Sequence, residues 1–191
     1  MVGGGGPLNL EVRLSYGGAV ALLAALANRN RVRALAIYEP TLFSLIDAES
    51  GPPNDADGIR DVVSEASEAL DRGDSTGAAQ RFIDYWMGIG AWRKTPEDRR
   101  PSIASSVKNI RRWSHALFTE RTPLRAFEAL NMPVLYMVGG RSTISAQGVA
   151  KRLLPVLPNV SRHDFPELGH MGPVTHPATV NEVLKRFLCE A

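Results

Sequence analysis

The sequence predicts an α/β fold: a parallel sheet of about four strands, helices on its faces, and an all-helical block inserted after the second strand. Three observations lead there. Short β-like segments alternate with helical patterns toward both ends of the chain. Between about Ile59 and Leu130 no convincing strand occurs, only apolar residues at helical spacing. A chain of 191 residues, 44% of them apolar, suits one domain with a substantial core.

The first strand is "LNLEVRL", Leu8–Leu14. It alternates Leu8, Leu10, Val12 and Leu14 with Asn9, Glu11 and Arg13, so it reads as half-exposed; a central parallel strand is apolar almost throughout. It runs through "SYGG" into an Ala- and Leu-rich helix, "GAVALLAALAN", which stops near Asn28–Asn30. The second strand is "RALAIY", Arg33–Tyr38. A flexible stretch, Asp47–Gly58, leads into the helical block, assigned to residues 51–130 of a single domain over 1–191.

Within the block, "IRDVVSEASEALDRG" carries Ile59, Val62, Val63, Ala66, Ala69 and Leu70 on one face. "STGAAQRFIDYWMG" continues with Phe82, Ile83, Trp86 and Met87. "PSIASSVKNIRRWSHALF" reads as one further helix, and Thr122–Pro123 caps a short fourth. Placed between two strands of a parallel sheet, such a block is expected to form a cap over the strand ends. The third strand is "PVLYMV", Pro133–Val138, followed by "SAQGVAKRLLPVLP" with Ser145 as its expected cap and Pro155 as its stop. The fourth strand is Val160–Phe165. The last helix, "HPATVNEVLKRFL", has Pro177 at its first position and Val180, Val183, Leu184 and Phe187 along one face.

Composition excludes several functions. A formal net charge of +2 makes no case for nucleic acid. The arginine clusters at 29–33, 99–100 and 111–112 fall near helix ends or on solvated faces, where cations are ordinary. A basic interaction module built on them would show salt-sensitive binding to a polyanion. The single cysteine, Cys189, forms no intramolecular disulfide, and no Cys/His cluster has zinc-ligand spacing, so no metal is expected. No apolar run is long enough to span a bilayer, and "MVGGGGPLNLEV" lacks the basic flank and apolar core of a signal peptide. The expectation is a cytoplasmic protein without a membrane partner. Gly3–Gly6 lacks the Lys–Ser/Thr that a phosphate loop requires and reads as a flexible leader.

The chemistry centres on Ser15, at the corner between the first strand and its helix. A serine hydroxyl needs a neighbouring base, and the base needs an orienting acid. Of the four histidines, His115 lies within a helix of the block, His163 within a strand, and His176 just before Pro177. His170 differs: it sits in "PELGHMGPVTHP", a Gly/Pro-rich loop after the fourth strand. Loops at the carboxyl ends of parallel strands are where such sheets build sites, and Ser15 occupies the same end of the first strand.

These segments resemble the α/β-hydrolase fold family. "SYGGAVAL" is similar to the second half of its nucleophile elbow, "PVLYMVGGRS" to its penultimate core strand, and "LPNVSRHDFPELGHMGP" to its last strand and histidine loop. The helical block corresponds to the family's cap. The order Ser first, His last also agrees with the family's. The resemblance covers nearly the whole chain but only the C-terminal part of the fold, an N-terminally truncated α/β-hydrolase fold. It implies a serine hydrolase of small, largely apolar esters or related acyl compounds, needing no cofactor. Ser15 would be nucleophile, His170 base, and the Tyr16 N–H an oxyanion donor. Tyr85, Trp86 and Trp92 in "FIDYWMGIGAW" read either as walls of an apolar substrate pocket or as plain core, and Met171 as a pocket or packing residue.

Three departures bear on this. The G-x-S-x-G elbow reads Arg13-Leu14-Ser15-Tyr16-Gly17, and arginine is expected to force the turn open or shift the serine. Only about fourteen residues precede Ser15, so the first strand would be an exposed edge, able to pair with a second copy in a homo-oligomer. The second oxyanion donor, which the family takes from an earlier loop, is also missing; such a loss costs about 10²–10³ in rate. Finally, Ser142 stands where the family's acid is expected. Glu39, directly after the second strand, is then either the acid that reaches His170 or a solvated strand-end carboxylate; Asp47 is a poorer candidate. The alternative to an active enzyme is a catalytically impaired relative or fragment with a structural or association role.

Overall fold

The computed structural model describes residues 11–190. The expected strand residues Leu8–Leu10 and the glycine run Gly3–Gly6 lie outside them. Four strands form one sheet: β1 (Glu11–Leu14), β2 (Leu35–Tyr38), β3 (Val134–Gly139) and β4 (Val160–Phe165). Their order in space is their order in sequence, and each neighbouring pair is parallel. β1 pairs only with β2 among the described residues, so it stands at an edge, as its alternating sequence predicts.

Parallel pairing requires crossovers, and helices supply them. Helix α1 (Ser15–Ala27) joins β1 to β2. Between β2 and β3 lie α2 (Ser44–Glu49), α3 (Asp57–Asp71), α4 (Ser75–Met87), α5 (Ala91–Lys94), α6 (Arg100–Val107), α7 (Ile110–Thr119) and a 3-10 turn at Leu124–Ala129. Helix α8 (Ile144–Leu153) joins β3 to β4, and α9 (Gly172–Thr175) and α10 (Pro177–Glu190) follow.

Strand periodicity sorts the core into two layers. Leu35, Ile37, Val134, Tyr136 and Val138 pack with α1 and α8. Ala36, Tyr38, Leu135 and Met137 face the other way, onto Val180 and Val183 of α10. β2 and β3 are buried at every position, the mark of parallel strands covered on both faces. The inserted helices have a small core of their own around Ala66, Ala79, Trp92, Val107 and Ile110.

Several expectations need correction. The stretch read as one helix from Pro101 is two, α6 and α7, broken at Lys108–Asn109; asparagine competes with helical hydrogen bonding through its own side chain. Ser145 does not cap α8. Thr143 does, its Oγ1 accepting from the Ala146 N–H. Ser145 is wholly buried, 2.7 Å from the Tyr85 hydroxyl, and so ties α8 to α4. The short helices α2, α5 and α9 carry too few residues for a periodic pattern to reveal them.

Candidate active site

Three strand ends meet at the carboxyl edge of the sheet. At the end of β1 the chain turns directly into α1, and Ser15 takes a φ of 53° there, a conformation costly for a residue with a Cβ. Arg13 does not force this turn open. Its stem lies along Gly17, where a Cβ would sit only 3.5 Å from the Arg13 Cδ, and its guanidinium bonds back to the Val12 carbonyl. Ser15 and Tyr16 open α1, which has no side-chain cap, so the first-turn amides, Tyr16 N–H among them, have no intrahelical acceptor.

At the end of β2, Glu39 also has a positive φ, 44°. The turn carries its side chain inward, and it is 0% exposed. Both carboxylate oxygens are occupied. Oε1 accepts from the Gly139 N–H at 2.6 Å, and Oε2 lies 2.7 Å from the Nδ1 of His170, itself 2% exposed. Against an ionised carboxylate, which only accepts, a neutral imidazole donates from Nδ1–H and keeps Nε2 as its acceptor. Glu39 is therefore no solvated strand-end carboxylate. Asp47 is occupied elsewhere, paired with Arg60 and Asn54.

The loop bearing His170 is held by close packing. The Tyr38 hydroxyl donates to the Gly169 carbonyl at 2.8 Å. Burial, and then the charge of neighbouring Glu39, pushes the Tyr38 phenol well above its ordinary range, so it remains a donor. Gly139 and Gly172 permit this approach. A Cβ on Gly139 would meet the Leu168 carbonyl oxygen at 2.6 Å, and one on Gly172 would meet the Tyr38 hydroxyl at 2.5 Å.

Trp86 of α4 stacks on His170, with ring centroids 4.0 Å apart and planes inclined by 30°. It also lines a small, mostly apolar cavity of about 60 Å³ with Ser15, Tyr16, Phe43, Phe82 and Trp113. Ser15 thus meets the His170–Glu39 pair through Trp86; among the described residues no hydrogen bond joins Ser15 to His170. Met171 is not in this cavity but lines a groove on the other side of α4.

The remaining candidates lie apart. His115 and His176 are exposed, and His163 packs edge-on against Phe165. Trp92 is buried in the core of the insertion. Sequence reasoning missed Thr41, which lines the Ser15 cavity and whose buried Oγ1 has no hydrogen-bond partner among the described residues. It also missed the anchoring role of Tyr38. Among the described residues no cluster of three or more metal-ligating side chains occurs, and no helix is long and apolar enough to cross a membrane.

No family model matches the sequence, and no curated protein matches it closely enough to count. Solved structures do match. The α/β-hydrolase enzyme MGS-M2 from a Medee basin deep-sea metagenome library superposes with a TM-score of 0.75 at 14% identity, over 97% of this chain and 66% of that one. The chain has the α/β-hydrolase fold. Carboxylesterase CesB from Bacillus subtilis matches over 95% of this chain and 60% of its own, with a TM-score of 0.67 and 16% identity. A thermophilic esterase from Thermogutta terrifontis matches over 97% and 65%, with a TM-score of 0.65 and 20% identity. The chain thus spans about two thirds of the length of these α/β-hydrolase structures.

Proposed function

We propose that this chain is a serine hydrolase acting on a small apolar ester or related acyl compound, with Ser15, His170 and Glu39 as its relay. The observation that carries the reading is the buried His170–Glu39 pair, joined through Nδ1, beside a cavity lined by a strained serine. Backbone strain and a buried, hydrogen-bonded carboxylate are features that active sites maintain.

In this reading Ser15 Oγ attacks the carbonyl carbon and its proton passes to His170 Nε2. The imidazolium formed is stabilised by Glu39 across Nδ1 and by the indole face of Trp86. The Tyr16 N–H donates to the tetrahedral oxyanion. Collapse breaks the bond to the leaving alcohol, which takes the proton from Nε2. Water then repeats the sequence on the acyl-serine and releases the acid. The small apolar cavity favours a short acyl group. The inserted helices serve as a cap, because α4 supplies the Trp86 wall.

The rival reading, a catalytically impaired relative, draws on the missing Ser15–His170 hydrogen bond. Such bonds are often long until substrate binds. Labelling by a fluorophosphonate probe separates the two. Labelling that Ser15→Ala abolishes, with hydrolysis of a short p-nitrophenyl ester, is the expected result. A folded protein that does not label would leave Ser15 as a turn residue and favour the rival.

A further inference from the structure

Beyond the Ser15 cavity, a groove of about 660 Å³ runs between the inserted helices and the histidine loop. Its size lies within the roughly 300–1,000 Å³ of small-molecule sites. Met87, Ile89 and Val174 line it at 43%, 101% and 55% exposure, joined by Met171. Single exposed apolar side chains are ordinary, but several converging on one concavity mark a surface that something apolar covers.

The groove also has a charge. Lys94 and Arg99 line it, both exposed, and neither has an ion pair among the described residues. Their neighbour Arg100 behaves differently, bonded to the carbonyls of Thr95 and Arg93 and lying 3.8 Å from Glu97. Glu97 and Asp98 are exposed but do not line the groove. An apolar wall with two unpaired cations complements an apolar chain that ends in an anion.

We infer that this groove binds an alkyl carboxylate, its chain against Met87, Ile89 and Val174 and its headgroup between Lys94 and Arg99. The groove is a site separate from the Ser15 cavity, and binding there does not depend on the hydrolase reading. One helix separates the compartments: α4 turns Phe82 and Trp86 toward the Ser15 cavity, and Ile83 and Met87 toward the groove.

Titration calorimetry on the Ser15→Ala protein tests the binding site with hydrolysis removed from the readout. Decanoate is expected to bind, whereas acetate, which lacks the chain, and decyltrimethylammonium, which reverses the headgroup charge, are not. Reversing both cations (Lys94→Glu with Arg99→Glu) should weaken decanoate binding by about tenfold or more. Ile89→Asp, at a fully exposed position that folding does not depend on, should do the same. Three results would each overturn the proposal: no decanoate binding at millimolar concentration, equal binding of the cationic amphiphile, or indifference to charge reversal. Because fluorophosphonate labelling is read separately on unmodified Ser15, failure of the groove is distinguishable from failure of the relay.

Discussion

Glu39 and His170 occupy a closely packed part of the molecule, whereas Ser15 follows a strand that has one neighbour among the described residues. β2 and β3 are buried at every position, both Glu39 oxygens are engaged, and two glycines let the histidine loop close onto Tyr38. Among the described residues β1 spans four, pairs on one side, and leaves Arg13 exposed. The acid–base half is thus fixed by packing. The proposed nucleophile is held by a local turn and by α1, whose buried face includes Ala19 and Leu22. The proposed relay thus joins a closely packed acid–base pair to a serine held by its own turn and helix.

The largest effect should come from removing the charge at the fixed end. In protein that labels at Ser15, Glu39→Gln is expected to lower kcat by about 10⁴, because the amide no longer favours the Nδ1–H tautomer or holds the imidazolium. Steady-state ester hydrolysis measures this, and a loss below tenfold would detach Glu39 from the chemistry. A second substitution probes packing at the same end. Gly172→Ala places a Cβ against the buried Tyr38 hydroxyl and should cost about 1–3 kcal/mol in denaturant unfolding. An unchanged midpoint would show that the histidine loop is looser than its contacts imply.

The smallest effect belongs to the serine end. Arg13→Gly should leave ester hydrolysis within a few-fold, because the elbow is already formed around the arginine. Its stability cost should be about 0.5–1 kcal/mol, the ordinary price of glycine within a strand. A large gain in rate would mean that Arg13 does hold the turn away from its working geometry.

Much of this was legible in the sequence because it depends on residue type and placement along the chain. Alternation marked β1 as half-exposed, and a Gly/Pro-rich loop after a strand singled out His170. Glu39 could be proposed because Ser142 could not serve as an acid. What stayed hidden depends on contacts between distant segments. The Tyr38 hydroxyl reaches a carbonyl 131 positions away, and Trp86 meets His170 across the insertion. Arg13 is accommodated beside the formed turn with its stem alongside Gly17, a placement that local spacing does not reveal. Thr41 has no motif; only its burial beside the cavity draws notice.

The Trp86–His170 stack also has an optical consequence. An indole in face contact with an imidazole loses its excited state more readily when the imidazole carries a proton, so Trp86 emission reports the charge on His170 from inside the protein. Trp92 lies in the core of the insertion and Trp113 lines the same cavity as Trp86; neither stacks on a histidine among the described residues, and replacing both with phenylalanine isolates the Trp86 signal. The fold therefore contains its own indicator for the proton that the proposed chemistry moves, readable without substrate, label or added dye.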